Sequence, residues 1–337
     1  MTDDTEEPVR LILAGLGRWG QTLVRSVQGV SADVRFTGAV VRREAPVRAF
    51  AQANGLTLFP GLEEALGEGA ADGFVLATPH SQHEAQALCV LEAGLPVLVE
   101  KPLALTRTGA ARIMDAAAAR GLLAAVGFNR RFAPAMQRMR ELARSGALGT
   151  LQAVEGNFSG SFAYRYSPEM WRASPQEAPA GGMTPMGVHV LDAMIDLLGP
   201  VEAAQTLSTR RVLQIAQDDT TMVSLRFRCG AIGVLTTLTT TAPTWRVQLF
   251  GSKGWAMADG HERLIHAPID GPVTETRYPA TDLERAELEA FAAAIRGRAD
   301  YPVTPEEAVE GVAALEAIVA SAADGGWTDV RRAGPGR

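Results

Sequence analysis

Residues 9–20 read Val-Arg-Leu-Ile-Leu-Ala-Gly-Leu-Gly-Arg-Trp-Gly, an apolar run closed by glycines at 15, 17 and 20. The first six residues have the texture of a strand buried on both faces, and the residues from Gln21 to Val27 have that of a helix. Gly15, Gly17 and Gly20 let the backbone turn sharply between the two and come close to a pyrophosphate, which the N–H groups at the helix start then bind. Arg18 and Trp19 fill the variable positions of this loop. A glycine triplet is a weak signal alone; its place at the head of a strand–helix alternation gives it weight.

The alternation continues outward from that stretch. Strands are expected at Val9–Ala14, Val34–Val41, near Leu56, at Phe74–Ala77, Val97–Glu100 and Leu123–Phe128. Helices fall near Gln21–Val27, Val47–Ala53, Gln82–Ala93 and Thr108–Arg120, the last three closed by Gly55, Gly94 and Gly121. This is the pattern of a doubly wound parallel sheet, a first domain spanning 1–128. After Phe128 the texture changes. A helix is expected at Pro134–Arg144, a strand at Leu151–Ser159 and a helix at Pro185–Leu198 that opens on Thr184 as N-cap. Long β-patterned stretches follow at Glu202–Ile215, Thr220–Phe227, Ala231–Thr241 and Trp245–Met257, with two closing helices at Leu283–Arg296 and Pro305–Ala322. Successive strands imply a second α/β domain, 129–337, built on a large, mostly antiparallel sheet. A Gly/Arg tail ends the chain.

The chain has 337 residues, is 47% hydrophobic and 21% charged, and carries a formal net charge of −6. These values fit two globular domains and exclude a general nucleic-acid binder, which needs a basic face. Cys89 and Cys229 form no metal or disulfide pattern, which points to a reducing compartment. The acidic start MTDDTEEPVR is unlike a signal peptide, and no apolar run is long enough to span a bilayer, so a cytoplasmic protein without a membrane partner is expected. His80 and His83 are three apart, but no third ligand completes a metal set. His261 and His266 read as surface residues.

Two positions carry unusual charge. The second strand ends in Arg42-Arg43, where an NAD enzyme often has a carboxylate for the ribose 2′-hydroxyl; guanidinium groups there suit the 2′-phosphate of NADP, with Arg18 as a helper. The alternative is a solvated arginine pair. Of the 32 basic residues only Lys101 and Lys253 are lysines. Lys253 lies in Gly-Ser-Lys-Gly, a turn. Lys101 follows Glu100 at the carboxyl end of a strand, the edge where doubly wound sheets bind ligand, and an amine can lose its proton where a guanidinium cannot.

The segments GLGRWG, ATPHSQH, GLPVLVEKPLA, GFNRRFAP and GGMTPMGVHVLD together resemble the Gfo/Idh/MocA oxidoreductase family. The resemblance implies an N-terminal Rossmann domain and a C-terminal α/β domain whose open sheet often mediates homodimers or homotetramers. It also implies NAD(P)-dependent chemistry on sugars, inositols or related carbonyls. It gives Lys101 the role of catalytic lysine and His189 that of the histidine near the nicotinamide. Thr78, Pro79 and His83 match the loop lining the cofactor, Glu100 belongs to the same cofactor segment as Lys101, and Asn129 and Arg130 match a segment that can face substrate. The Lys101-Pro102 peptide is often cis in the family.

One position departs from the pattern: many members have an aspartate four residues before the histidine, and here that position is Pro185. Asp192, three residues after His189 and on the same helical face, is then the candidate to orient the imidazole. Trp171 and Arg172 read either as the rim of a substrate pocket or as an aromatic anchor for their loop. The expectation is an NADP-preferring, or else NAD-dependent, oxidoreductase that interconverts an alcohol and a carbonyl on a sugar or polyol bound between the domains. The alternative, favoured by Pro185, is a non-catalytic NADP-binding regulator or redox sensor on the same fold.

Overall fold

The computed structural model describes residues 7–69 and 71–330. The first six residues and the Gly/Arg tail at 331–337 lie outside the described residues. The chain divides into two compact units. Unit 1 comprises residues up to 103, 109–129 and 282–305, and unit 2 comprises 104–108, 130–281 and 306 onward.

Unit 1 is built on six parallel strands: β1 (Val9–Ala14), β2 (Val34–Val40), β3 (Thr57–Phe59), β4 (Gly73–Leu76), β5 (Val97–Glu100) and β6 (Ala124–Gly127). Their order is β3-β2-β1-β4-β5-β6, so the order reverses next to β1 and leaves a crevice at the carboxyl ends of β1 and β4. Both faces of the sheet are covered, so β4, β5 and β6 are buried at every residue. The covering helices are α1 (Arg18–Val27), α2 (Arg48–Ala53), α3 (Leu62–Gly67), α4 (His83–Glu92) and α5 (Arg107–Ala118). The expected caps hold: Gly55, Gly94 and Gly121 have φ of 66°, 80° and 63°. Helix α3 was not expected; its six residues are too few to show a period.

Unit 2 contains α6 (Pro134–Arg144), β7 (Leu151–Ser159), α7 (Gly187–Leu198), β8 (Val201–Thr209), β9 (Thr220–Phe227), β10 (Ile232–Leu238), β11 (Thr244–Gly251), β12 (Gly254–Asp259), β13 (Arg263–Pro268) and β14 (Thr274–Arg277). The chain then forms α8 (Leu283–Ile295), α9 (Pro305–Asp324) and β15 (Trp327–Asp329). Nine strands make one sheet in the order β14-β13-β12-β11-β7-β10-β9-β8-β15, antiparallel except where β7 meets β10. Helices α6 and α7 pack on one face. The other face exposes Leu207, Met222, Ile232, Val234 and Trp327, and Arg226 stacks over the Trp327 ring at 4.5 Å.

Several boundaries differ from expectation for identifiable reasons. The chain passes between the two units more than once. Helix α8 belongs to unit 1, where Arg285 Nε donates to the Ser26 carbonyl at 2.9 Å and Ser31 Oγ donates to Glu289 at 2.8 Å. Strand β8 stops at Thr209 rather than Ile215 because the Asp219 carboxylate gathers the backbone N–H groups of Arg211, Val212 and Leu213 into a loop. The run Trp245–Met257 is two strands joined by the turn at Ser252-Lys253, as the glycines around Lys253 suggested. Helix α7 starts at Gly187, not Pro185, and Thr184 is no N-cap: its hydroxyl donates backward to the Pro179 carbonyl at 2.9 Å.

The polar centre of unit 2 is Arg131, whose side chain is 2% exposed. It donates to both oxygens of Asp192, Nε at 2.9 Å and Nη2 at 2.7 Å, and its Nη1 lies 3.0 Å from Glu307 and 3.3 Å from Asp196. Asp196 in turn accepts from Arg140 Nε at 2.6 Å. Burial opposes the charge on Arg131, and the surrounding carboxylates overcome that and hold its proton more tightly than usual. Breaking such a pair leaves an uncompensated buried charge. Arg131→Ala is expected to destabilise unit 2 by about 3–5 kcal/mol, read as an earlier denaturant transition, and Arg131→Met with Asp192→Leu should recover much of that loss.

Candidate active site

The glycine loop is held by backbone crowding. A Cβ on Gly20 would sit 2.1 Å from the Gly15 carbonyl oxygen, and one on Gly15, at φ +100°, would sit 2.5 Å from the Ala77 oxygen beyond β4. Gly17 differs: it caps α1, and a Cβ there would meet nothing within 4 Å. No side chain caps α1, and its first turn holds no acidic residue, so its N–H groups face the space over Gly17. An open cradle at a helix N-terminus fits the pyrophosphate of a dinucleotide. Arg18 is exposed here, and Trp19, half-buried, points back across the crevice.

Arg42 and Arg43 stand just past the end of β2, both exposed. Among the described residues neither has an ion-pair partner, whereas arginines 10, 48, 112, 138, 228 and 263 each pair with a carboxylate. Thr78 and Pro79 follow β4, and Thr78 Oγ1 donates to Gln86 at 2.6 Å. His83 is completely buried. Its Nδ1 lies 2.8 Å from the Pro102 carbonyl and its Nε2 3.1 Å from the Thr78 carbonyl, so it joins the loop after β5 to the loop after β4. Its role is to pin two loops, which the spacing alone did not reveal.

Lys101, half-buried, leaves the end of β5 through a cis peptide to Pro102. Glu100, 6% exposed, accepts from Trp19 Nε1 at 2.5 Å and from the backbone N–H of Lys101. Burial pushes its carboxyl above the usual carboxylate range, against the pull of Lys101 and the indole. Asn129, 1% exposed, donates to Glu284 at 2.9 Å. All of these groups belong to unit 1.

Unit 2 carries the other candidates. His189 lies in the first turn of α7, buried, with its ring centroid 5.9 Å from that of Phe158. Arg130 sits over Phe158 at 5.4 Å, and Trp245 meets the same ring edge-on at 5.2 Å. His261, expected at the surface, is half-buried 5.9 Å from Trp245, where burial and the charge of Arg130 lower its proton affinity. Asp192, expected to orient His189, gives both oxygens to Arg131, because a carboxylate 5% exposed needs a bidentate partner. Arg172 stacks on Trp171 at 4.1 Å, and its carbonyl accepts from Gln217, which supports the anchor reading of that pair. Phe158, Trp245 and Arg131 were missed by sequence reasoning; Arg131 could have been found from two acids four apart on α7 facing an arginine pair.

Comparison with known proteins fits this architecture. The model of the oxidoreductase family with an NAD-binding Rossmann fold matches residues 9–128, and the model of the GFO/IDH/MocA C-terminal domain matches 136–257. The chain belongs to the Gfo/Idh/MocA family. It is an oxidoreductase, with its NAD-binding domain in unit 1. It is similar to the rhizopine catabolism protein MocA of Rhizobium meliloti, 29% identical over 91% of this chain and 93% of that one. It is also similar to 1,5-anhydro-D-fructose reductase of Ensifer adhaerens, 28% identical over 92% and 97% of the two chains. Among solved structures, GenD2 from gentamicin A biosynthesis, in complex with NAD, superposes with a TM-score of 0.81 at 27% identity, covering 96% of this chain and 97% of that one. No helix among the described residues is long and apolar enough to cross a membrane.

The glycines of this Gfo/Idh/MocA protein separate binding from folding. Gly17→Val is expected to keep the thermal midpoint within a few degrees while weakening NAD(P)H binding at least about tenfold, because the new side chain fills only the ligand's space. Gly20→Ala should fail to fold stably, since its Cβ would meet backbone. Binding titrations and melting curves on the two variants check both outcomes.

Proposed function

We propose that the protein is an NADP-preferring dehydrogenase or reductase that interconverts a secondary alcohol and a carbonyl on a sugar-like or polyol substrate, with Lys101 as proton donor and acceptor. The observation that carries the reading is the placement of Lys101, one of two lysines among 32 basic residues, at the carboxyl end of β5. The names of the relatives, a rhizopine catabolism protein and an anhydrofructose reductase, support a carbohydrate-like substrate class.

A bound nicotinamide supplies hydride acceptance at C4 in oxidation and hydride donation in reduction. The amine of Lys101 takes the hydroxyl proton as the alcohol is oxidised and returns it to the carbonyl oxygen in the reverse direction. Gly15, Gly17 and Gly20 seat the pyrophosphate, Thr78 and Pro79 line the cofactor, and the unpaired guanidinium groups of Arg42 and Arg43 select the 2′-phosphate. In unit 2, His189 polarises or positions substrate oxygen, and Arg130 and Asn129 are the proposed substrate contacts. The exposed apolar face of the large sheet suits a second copy of the chain, making a homodimer or homotetramer.

Three measurements test these roles. Lys101→Ala should lower turnover by roughly two orders of magnitude or more with NADPH affinity nearly unchanged; unaltered turnover overturns the catalytic role. Arg42→Ala with Arg43→Ala should reduce the preference for NADPH over NADH by about tenfold or more, measured as the ratio of kcat/KM values. Ile232→Glu with Leu207→Glu should shift the mass in light scattering toward the monomer. Cofactor binding with no label exchange between NADPH and any polyol would instead favour a sensor.

A further inference from the structure

Trp19 and Glu100 are 81 positions apart, yet the indole Nε1–H donates to the Glu100 carboxylate at 2.5 Å. Trp19 belongs to the glycine loop and the first turn of α1, which follows β1. Glu100 closes β5, and β4 lies between β1 and β5 in the sheet. The indole therefore spans about two strand spacings, roughly 10 Å, across the crevice at the strand ends. Tryptophan is a donor only, so the partner must act as an acceptor, and the bond favours the ionised carboxylate.

We propose that Trp19 is a positioning residue for Lys101: its hydrogen bond to Glu100 ties the cofactor-binding loop to the strand end that carries the amine, so that the two respond together. The proposal rests on the role of Lys101 given above. The charged groups facing Glu100 are Lys101 itself and Glu284 of α8, the latter like-charged and held by Asn129. His83 reaches the same loop through the Pro102 carbonyl. Burial works against the Glu100 charge, and the indole N–H, the Lys101 N–H and the ammonium work for it. Removing the indole donor shifts Glu100 toward its neutral form. Lys101 then loses part of its counter-charge and releases its proton more readily.

The scarcity of lysine makes this measurable without substrate. Competitive acylation across a pH series, read by peptide mass spectrometry, reports the titration midpoint of Lys101, with the exposed Lys253 of the β11–β12 turn as internal reference. In Trp19→Phe, which keeps the ring and loses the donor, the Lys101 midpoint should fall by about half a pH unit or more while Lys253 stays put. Glu100→Gln should lower it further, and the double variant should match Glu100→Gln, because Trp19 acts through Glu100. A Trp19→Phe midpoint equal to wild type, or a double variant displaced beyond Glu100→Gln, overturns the proposal. Glu100→Gln leaves Trp19 in place, so an unmoved Lys101 in that variant overturns it too, even where Trp19→Phe does not fold. Turnover of Lys101→Ala judges the catalytic role separately, since the labelling requires no turnover.

Discussion

The backbone crowding where β1 turns into α1 governs unit 1. Gly20 passes the Gly15 carbonyl, and Gly15 passes the Ala77 carbonyl, at distances that leave room for a hydrogen atom and nothing larger. That contact fixes α1 against the ends of β1 and β4 and leaves its N-terminus uncapped. An uncapped, uncrowded N-terminus is what an anionic ligand needs, so the packing constraint and the binding capacity share one cause. The same contact places Trp19 where its side chain can cross to β5. The glycine loop, Thr78 and Lys101 all stand at the carboxyl ends of strands in this sheet.

A lysine among arginines makes sense at one of those ends. A guanidinium pairs well with carboxylates and phosphates but keeps its proton; Arg10 pairs with Asp72 and Arg131 with its carboxylates, while Arg42 and Arg43, just past the end of β2, have no ion-pair partner among the described residues. The proton exchange proposed for Lys101 needs an amine. Its surroundings are correspondingly specific: a buried carboxylate next to it in sequence, an indole donating to that carboxylate, and a buried histidine gripping the carbonyl of the following proline. Both contacts hold the segment that carries Lys101.

Much of this was legible in the sequence, because parallel strands covered on both faces appear as apolar runs; β1 and β5 match their expected bounds residue for residue. The glycine loop and Lys101 were visible because their chemistry is local. What stayed hidden depends on partners far along the chain. Helix α8 looks like any amphipathic helix until Arg285 finds Ser26, 259 residues away. Strand β8 appeared too long because Asp219 acts on backbone that precedes it. Strand β14 is an edge strand of the sheet and, exposed at all four residues, has no apolar alternation to read. Asp192 shares a helical face with His189, but sequence spacing cannot say that a buried arginine holds both its oxygens.

That arginine bears on the missing aspartate. Four residues ahead of His189, where the family resemblance leads one to expect an aspartate, this chain has Pro185, and the carboxylates that α7 carries, Asp192 and Asp196, are bound to Arg131 and Arg140. Both acids of the helix are thus committed to holding α7 in place, which keeps His189 fixed but leaves the negative charge of α7 neutralised within unit 2. Under the role proposed for Lys101, a carboxylate that modulates its proton then comes from outside α7. Glu100 is adjacent to Lys101 in sequence, buried, and held by the Trp19 indole, so it is the carboxylate the proposal invokes. Under the role proposed for Lys101, the indole of Trp19 matters through the carboxylate it holds, which is the residue next to that lysine in sequence.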